Sequence, residues 1–333
     1  MRRLRLSPDP AGRVHGDGER ARNEQGREPA ATIFCAVCFH GLTIREGLPF
    51  PNAIFAANTH CSSGRILSMR FTKMQGCGND FLVFDPGEVE GIDLPELARR
   101  ACHRHFGVGA DGILVPVPSE TADLEMVYLN SDGSTSEMCG NGLRCLARYA
   151  TDRGMVDGEV MTVATGSGVK KIVLFEDGSS RVNMGAPRLD TEVEVGGFRF
   201  LRVWTGNPHA VAFLGSDASV EALDLRAVGP PIEEDAVFPD RTNVEFGFVR
   251  GEHDVRMRIW ERGAGETLAS GSGSCAVAVA AVAQGLAHSP VNVHLDGGVV
   301  EIEWSGEGEP VYMKGPAEYV CEGELLYSTV HKT

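Results

Sequence analysis

The chain has 333 residues, 42% of them hydrophobic and 23% charged, enough for two domains with cores of their own. Its formal charge of −15 argues against a nucleic-acid surface, and no stretch approaches the roughly 18 apolar residues of a membrane span. Nine cysteines, an odd number without regular spacing, do not form a disulfide framework and point to a reducing, cytoplasmic setting.

Residues 1–68 hold nine Arg, no Lys and six Asp or Glu, a net of +3, so the remainder carries −18. Ser7-Pro8-Asp9-Pro10 and Gly16-Asp17-Gly18 break any periodicity there, and the segment is expected to be a disordered or dispensable extension. Cys35-Ala36-Val37-Cys38 with His40, His60 and Cys61 matches no familiar zinc spacing, so no metal site is expected. From Met69 the chain alternates as a strand, turns at residues 75–80 and returns as a strand over 81–85. Residues 94–103 have helical spacing; strands are expected over 113–117 and 126–129, the second ending at Asn130. A helix over 143–152 follows, then strands over 160–164, 169–175 and 180–184. Residues 187–192 read as a connector between domains. Beyond it come strands over 198–205, 210–213, 243–250 and 254–260, a helix over 274–284, and strands over 291–295, 299–304 and 310–315. Each half is thus mostly short strands with a helix embedded, an α+β pattern.

Two similar stretches carry the chemistry. Met138-Cys139-Gly140-Asn141-Gly142 opens one helix, and Ala269-Ser270-Gly271-Ser272-Gly273 opens the other. Asn79 precedes Cys139 by 60 residues, and Asn207, followed by Pro208-His209, precedes Ser270 by 63. The pattern indicates an internal duplication. A thiol just before a helix N-terminus faces the positive end of the helix dipole, which favours thiolate, and the free N–H groups of Gly140 and Asn141 can hold a carboxylate beside it. Arg262, after Glu261 and before Gly263-Ala264-Gly265, can grip a carboxylate bidentately. Asn79, Asn130, Asn207 and Asn243 fall at strand ends or turns, where the amide serves either the backbone or a ligand; His209 reads equally as an acid, a base or a loop histidine. Together these residues suit a polar cleft for an amino acid, a small-molecule substrate, built from two pseudo-equivalent halves.

The runs over 71–81, 130–134 and 139–142, the turn Gly206-Asn207-Pro208-His209, and the run over 261–267 closely resemble the diaminopimelate epimerase family from about Met69 onward. The resemblance implies an α+β fold of two pseudo-symmetric domains of mixed β-sheet, each wrapped around a central helix, with the site in the cleft between them. It places the first domain at 69–186 with 317–333 returning to it, and the second at 187–316. It implies interconversion of LL- and meso-2,6-diaminopimelate, in lysine and peptidoglycan precursor biosynthesis, without pyridoxal phosphate, another cofactor or a metal, in a protein that is commonly a homodimer. Site residues carried over are Cys139, Ser270, His209 and Glu261 for catalysis. Asn79, Asn130, Gly140, Asn141, Asn207, Asn243, Glu261, Arg262, Gly271 and Ser272 are carried over for binding.

The departure is at 270, where the family has its second cysteine and this chain has Ser270. An alkoxide is far less accessible than a thiolate, so Ser270 is a poor base but a usable proton donor. Three readings stay open: an introduced substitution, a natural epimerase whose Ser270 is helped by His209 or Glu261, and a relative with altered chemistry. The last includes a racemase or dehydratase of another amino acid, or an impaired homologue that binds substrate.

Overall fold

A computed structural model describes residues 66–135 and 138–328. The cysteine pair at 35 and 38, with His40, His60 and Cys61, lies outside the described residues, as does nearly all of the expected extension. The first half runs β1 (Ile66–Gly76), β2 (Asn79–Val83), α1 (Leu94–Ala101), β3 (Gly112–Val117), β4 (Leu124–Asn130), α2 (Gly140–Asp152), β5 (Val160–Thr165), β6 (Gly168–Leu174) and β7 (Ser180–Gly185). The second runs β8 (Arg188–Val195), β9 (Phe198–Trp204), β10 (Pro208–Phe213), α3 (Asp217–Glu221), α4 (Leu225–Glu233), β11 (Asn243–Gly251), β12 (Asp254–Glu261), β13 (Gly265–Thr267), α5 (Gly271–Ala283), β14 (Val291–Leu295), β15 (Gly298–Trp304) and β16 (Val311–Gly315). The last strand, β17 (Glu318–Ser328), returns to pair with β1.

The pairing order exposes the duplication. In the first half β1 pairs β2 antiparallel, β2–β3 and β4–β5 are parallel, and the other neighbours up to β7 are antiparallel. In the second half β9–β10 is antiparallel, β10–β11 and β12–β14 are parallel, and β11–β12, β14–β15 and β15–β16 are antiparallel. The antiparallel pair β7–β16 joins the halves, so a pseudo-two-fold runs between those strands. Strand β17 on β1 mirrors β8 on β9.

Each half wraps one buried helix. In α5 every residue from Gly273 to Ala281 is buried, and α2 is buried from Gly140 to Ala147. A helix apolar on all sides must be buried all round, here by a sheet that curls about it, and the small residues Ala276, Ala278, Ala280 and Ala281 let the strands approach. Both helices share one apolar core, whereas α1 and α4 cover the outer sheet faces with smaller cores of their own.

The structure corrects several expectations. Both central helices begin three residues earlier than expected, because the Cys139 and Ser270 side chains cap Gly142 and Gly273 and bring the glycines into the first turn. Residues 187–192 are not a connector: β8 begins at Arg188 and alternates Leu189, Val193 and Val195 with charged residues, as an edge strand does. Helices α3 and α4 were not expected; Pro230 and Pro231 sit inside α4, which Leu225 and Ile232 hold against the core. Strand β1 starts at Ile66 because its first residues pair with the end of β17.

Candidate active site

The two helix N-termini have the same backbone form. Cys139 has φ −137° and ψ 112°, Ser270 φ −138° and ψ 120°. Gly142 N–H donates to Cys139 Sγ at 3.3 Å and Gly273 N–H to Ser270 Oγ at 3.2 Å. The termini meet. A methyl group at Gly140 would come within 2.6 Å of Met313 Cε, one at Gly271 within 3.2 Å of the same atom and 3.6 Å of Asn141 Oδ1. The two helix ends thus close on the Met313 side chain, and glycine leaves room for it there.

The thiol is costly to ionise where it sits. Burial pushes Cys139 up to about 11, the nearby Glu261 carboxylate adds to this, and the Gly142 N–H and Arg144 oppose it. Glu261 is itself raised by burial, against hydrogen bonds from Thr267, whose Oγ1 lies at 2.5 Å, and from Ser270. Glu261 thus links the serine to the charge balance at the opposing cysteine. Cys275 lies fully buried in the core on the body of α5.

Around these ends the asparagines differ. Asn79 Nδ2 donates to Asp111 Oδ2 at 2.7 Å, while its Oδ1 accepts from Asn141 Nδ2 at 3.2 Å and from the Cys139 thiol at 3.7 Å. Asn130 accepts from the Tyr128 hydroxyl at 2.7 Å and donates to Ser134 Oγ at 3.0 Å. Asn243 donates to Pro208 O and accepts from the Arg262 N–H, so its amide shapes the loop that carries Arg262. Arg262 is exposed, with Nη1 on Asp240 O at 3.0 Å. Ser272 accepts from Thr205 Oγ1 through its backbone carbonyl. His209 is buried, with Nδ1 2.5 Å from Glu245 Oε1 and Nε2 2.7 Å from Asn207 Oδ1.

Sequence reasoning missed Asp111, Tyr128 and Glu245. The one available signal was Glu245 itself, a charged residue among the apolar positions of Asn243-Val244-Glu245-Phe246.

Two capped, glycine-opened helix ends meeting inside mirrored sheets define a class of duplicated α+β protein whose candidate site lies where those ends meet. A hydroxyproline epimerase from Agrobacterium vitis shares this fold, with TM-score 0.59 at 16% identity over 80% of this chain and 94% of that one. The diaminopimelate epimerase family model matches residues 71–189 and 202–320, once for each half. Diaminopimelate epimerases from Desulfitobacterium hafniense and Moorella thermoacetica are each 46% identical, over 78% and 77% of this chain and 98% and 99% of their own lengths. The chain belongs to the diaminopimelate epimerase family.

Proposed function

We propose that this protein interconverts LL- and meso-2,6-diaminopimelate by cofactor-independent proton transfer at one α-carbon, in lysine and peptidoglycan precursor biosynthesis. The observation that carries the reading is the mirrored pair of N-caps, Cys139 and Ser270, on helices whose ends close on Met313. Inversion needs one group to take the proton from one face and another to return one to the opposite face, and a pseudo-two-fold supplies two such groups. Cys139 is the stronger base once substrate changes the charge balance; Ser270, close enough to Glu261 to lower its pKa, is the donor on the other face. The free N–H groups of the first turns of α2 and α5, including Gly140, Asn141, Gly271 and Ser272, face the developing charge on the substrate carboxylate. Arg262 takes the carboxylate of the second amino-acid head group, and Asn79, Asn130, Asn207 and Asn243 shape the polar wall.

In this reading the first domain comprises 69–186 with 317–333, and the second 187–316. The protein is a cytoplasmic homodimer. Among the described residues no helix is long and apolar enough to cross a membrane. Support for the dimer comes from the two sheet edges: β8 carries Arg188, Asp190, Glu192 and Glu194, whereas β17 leaves Val320 54% and Leu326 70% exposed.

The test is α-proton exchange of LL-diaminopimelate in deuterated water, with chiral separation of product, for this protein, Ser270→Cys and Cys139→Ala. Deuterated meso product from this protein and none from Cys139→Ala is expected. Absence of turnover in both this protein and Ser270→Cys would remove the diaminopimelate assignment.

A further inference from the structure

The mirrored pairing puts particular residues of the halves in correspondence. Phe81 on β2 lies opposite Gly112 on β3, as His209 on β10 lies opposite Asn243 on β11. Two residues further along the second strand of each pair stand Leu114 and Glu245. The neighbourhoods agree with that register: a methyl group at Gly142 would touch Leu114 Cδ2 at 3.3 Å, and one at Gly273 would meet Glu245 Oε1 at 3.0 Å and Ser270 Oγ at 3.1 Å. Where the first half has an apolar Phe–Leu pair, the second has a fully buried His–Glu pair.

Nothing in packing calls for that exchange. An apolar pair fits the same place in the other half, and replacing a buried polar pair by a packed apolar one is often neutral or stabilising. The pair even leaves Glu245 Oε2 buried without a hydrogen-bond partner. The hydrogen-bond directions show what the pair does. Asn207 Oδ1 faces His209 Nε2, so Nε2 must carry a proton. Nδ1 and Glu245 Oε1, 2.5 Å apart, then share a single proton, and the pair has no net charge whichever atom holds it. With its oxygen held by His209, Asn207 has only Nδ2 left for a ligand, and Nδ2 has no partner among the described residues. The corresponding Asn79 is held the other way: Asp111 takes its nitrogen, and its oxygen faces Asn141 and Cys139.

We infer that Glu245 is a positioning residue which acts through His209 to lock the Asn207 amide nitrogen toward the substrate, opposite in polarity to Asn79. One asparagine of the mirrored pair thereby presents a donor, suited to a carboxylate oxygen, whereas the other spends its oxygen on Asn141 and the Cys139 thiol. A symmetric frame is thus made to treat the two ends of an amino-acid ligand differently. The substrate part of this inference rests on the function proposed above; the amide polarity does not.

The experiment compares this protein with Glu245→Leu, Glu245→Gln and Asn207→Asp, reading the ring nitrogens of His209 by 15N NMR and the KM for LL-diaminopimelate, with Tm alongside. His209→Phe identifies the signal. The Nε2-protonated form is expected here and in Glu245→Gln, whose amide N–H can donate to Nδ1. Glu245→Leu should mix the tautomers and raise KM at least tenfold with a smaller change in kcat. Asn207→Asp keeps the contact to His209 but turns the donor into an anion, and KM should rise at least 100-fold. If Glu245→Leu does not fold, Glu245→Gln and Asn207→Asp still decide. An unchanged His209 signal and KM in Glu245→Leu, Glu245→Gln as damaging as Leu, or Asn207→Asp binding normally would each overturn the inference. Loss of the diaminopimelate assignment would appear separately, as no turnover with an intact ring-nitrogen pattern.

Discussion

Restoring a thiol at position 270 should accelerate the reaction by a large, calculable factor. The site is ready for it: Ser270 and Cys139 share backbone angles to within 8°, and each accepts one N–H from the third residue on at nearly the same distance. A serine hydroxyl ionises far above an ordinary thiol, which lies near about 8.5, and the gap is worth roughly 10 kcal/mol. Burial acts against both anions, so the gap persists inside the protein. With a Brønsted slope of about 0.5, the barrier falls by roughly 5 kcal/mol, a gain on the order of 10³-fold in turnover. The assay is the initial rate of LL-to-meso conversion with deuterium incorporation at the α-carbon, with Tm measured in parallel. A gain below about tenfold at unchanged Tm would refute the assignment of Ser270 as the proton carrier on its face.

Three further outcomes are expected. Burial pushes the thiols of Cys102, Cys145 and Cys275 up to about 12 and Cys139 up to about 11, so their contribution to stability is complete below the unfolded value. Above about pH 8.5 the unfolded chain loses these protons first, and stability should fall by about 1.4 kcal/mol per pH unit for each thiol until the folded values are passed. Urea midpoints from pH 8 to 11 test this, and Cys145→Ala should flatten the slope. Arg262→Lys should raise KM about 10- to 100-fold while kcat changes little, because a point charge replaces a bidentate grip; an unchanged KM would take Arg262 out of carboxylate binding. Gly297→Ala would set a methyl group 1.8 Å from the backbone oxygen of Cys77. It should cost about 3 kcal/mol, or roughly 6–12 °C in Tm, whereas Gly215→Ala, with open space around it, should be near neutral.

The parts of the fold that could be read in the sequence are those where local chemistry and tertiary role coincide. Cys139 and Ser270 sit at glycine-rich helix openings because a capping side chain and close backbone approach both demand those residue types there. The strands show because buried alternation is a strong signal. What failed was local signal overridden by packing. Pro230 and Pro231 break helical spacing, yet α4 forms because Leu225 and Ile232 are buried and Trp260 Nε1 bonds Glu233 at 2.8 Å. Charged β8 reads as a loop because an edge strand needs apolar residues on one face only. Asp111 and Glu245 escaped for another reason: their roles depend on strand register, which puts one beside Asn79 and the other beside His209.

The duplicated frame raises the question of how a symmetric scaffold treats an asymmetric reaction. A strict two-fold would give both faces of the α-carbon the same base, and both ends of the cleft the same hydrogen-bond polarity. Sequence divergence between the halves removes both equalities at three corresponding pairs, Cys139 and Ser270, Phe81 and His209, and Leu114 and Glu245. The backbone, by contrast, is held nearly identical at the N-caps. Geometry is therefore the shared property of the halves and proton affinity the divergent one. An epimerization needs the matched geometry, since distance must agree on both faces, whereas unequal proton affinity slows it, which is what the gain expected of Ser270→Cys expresses.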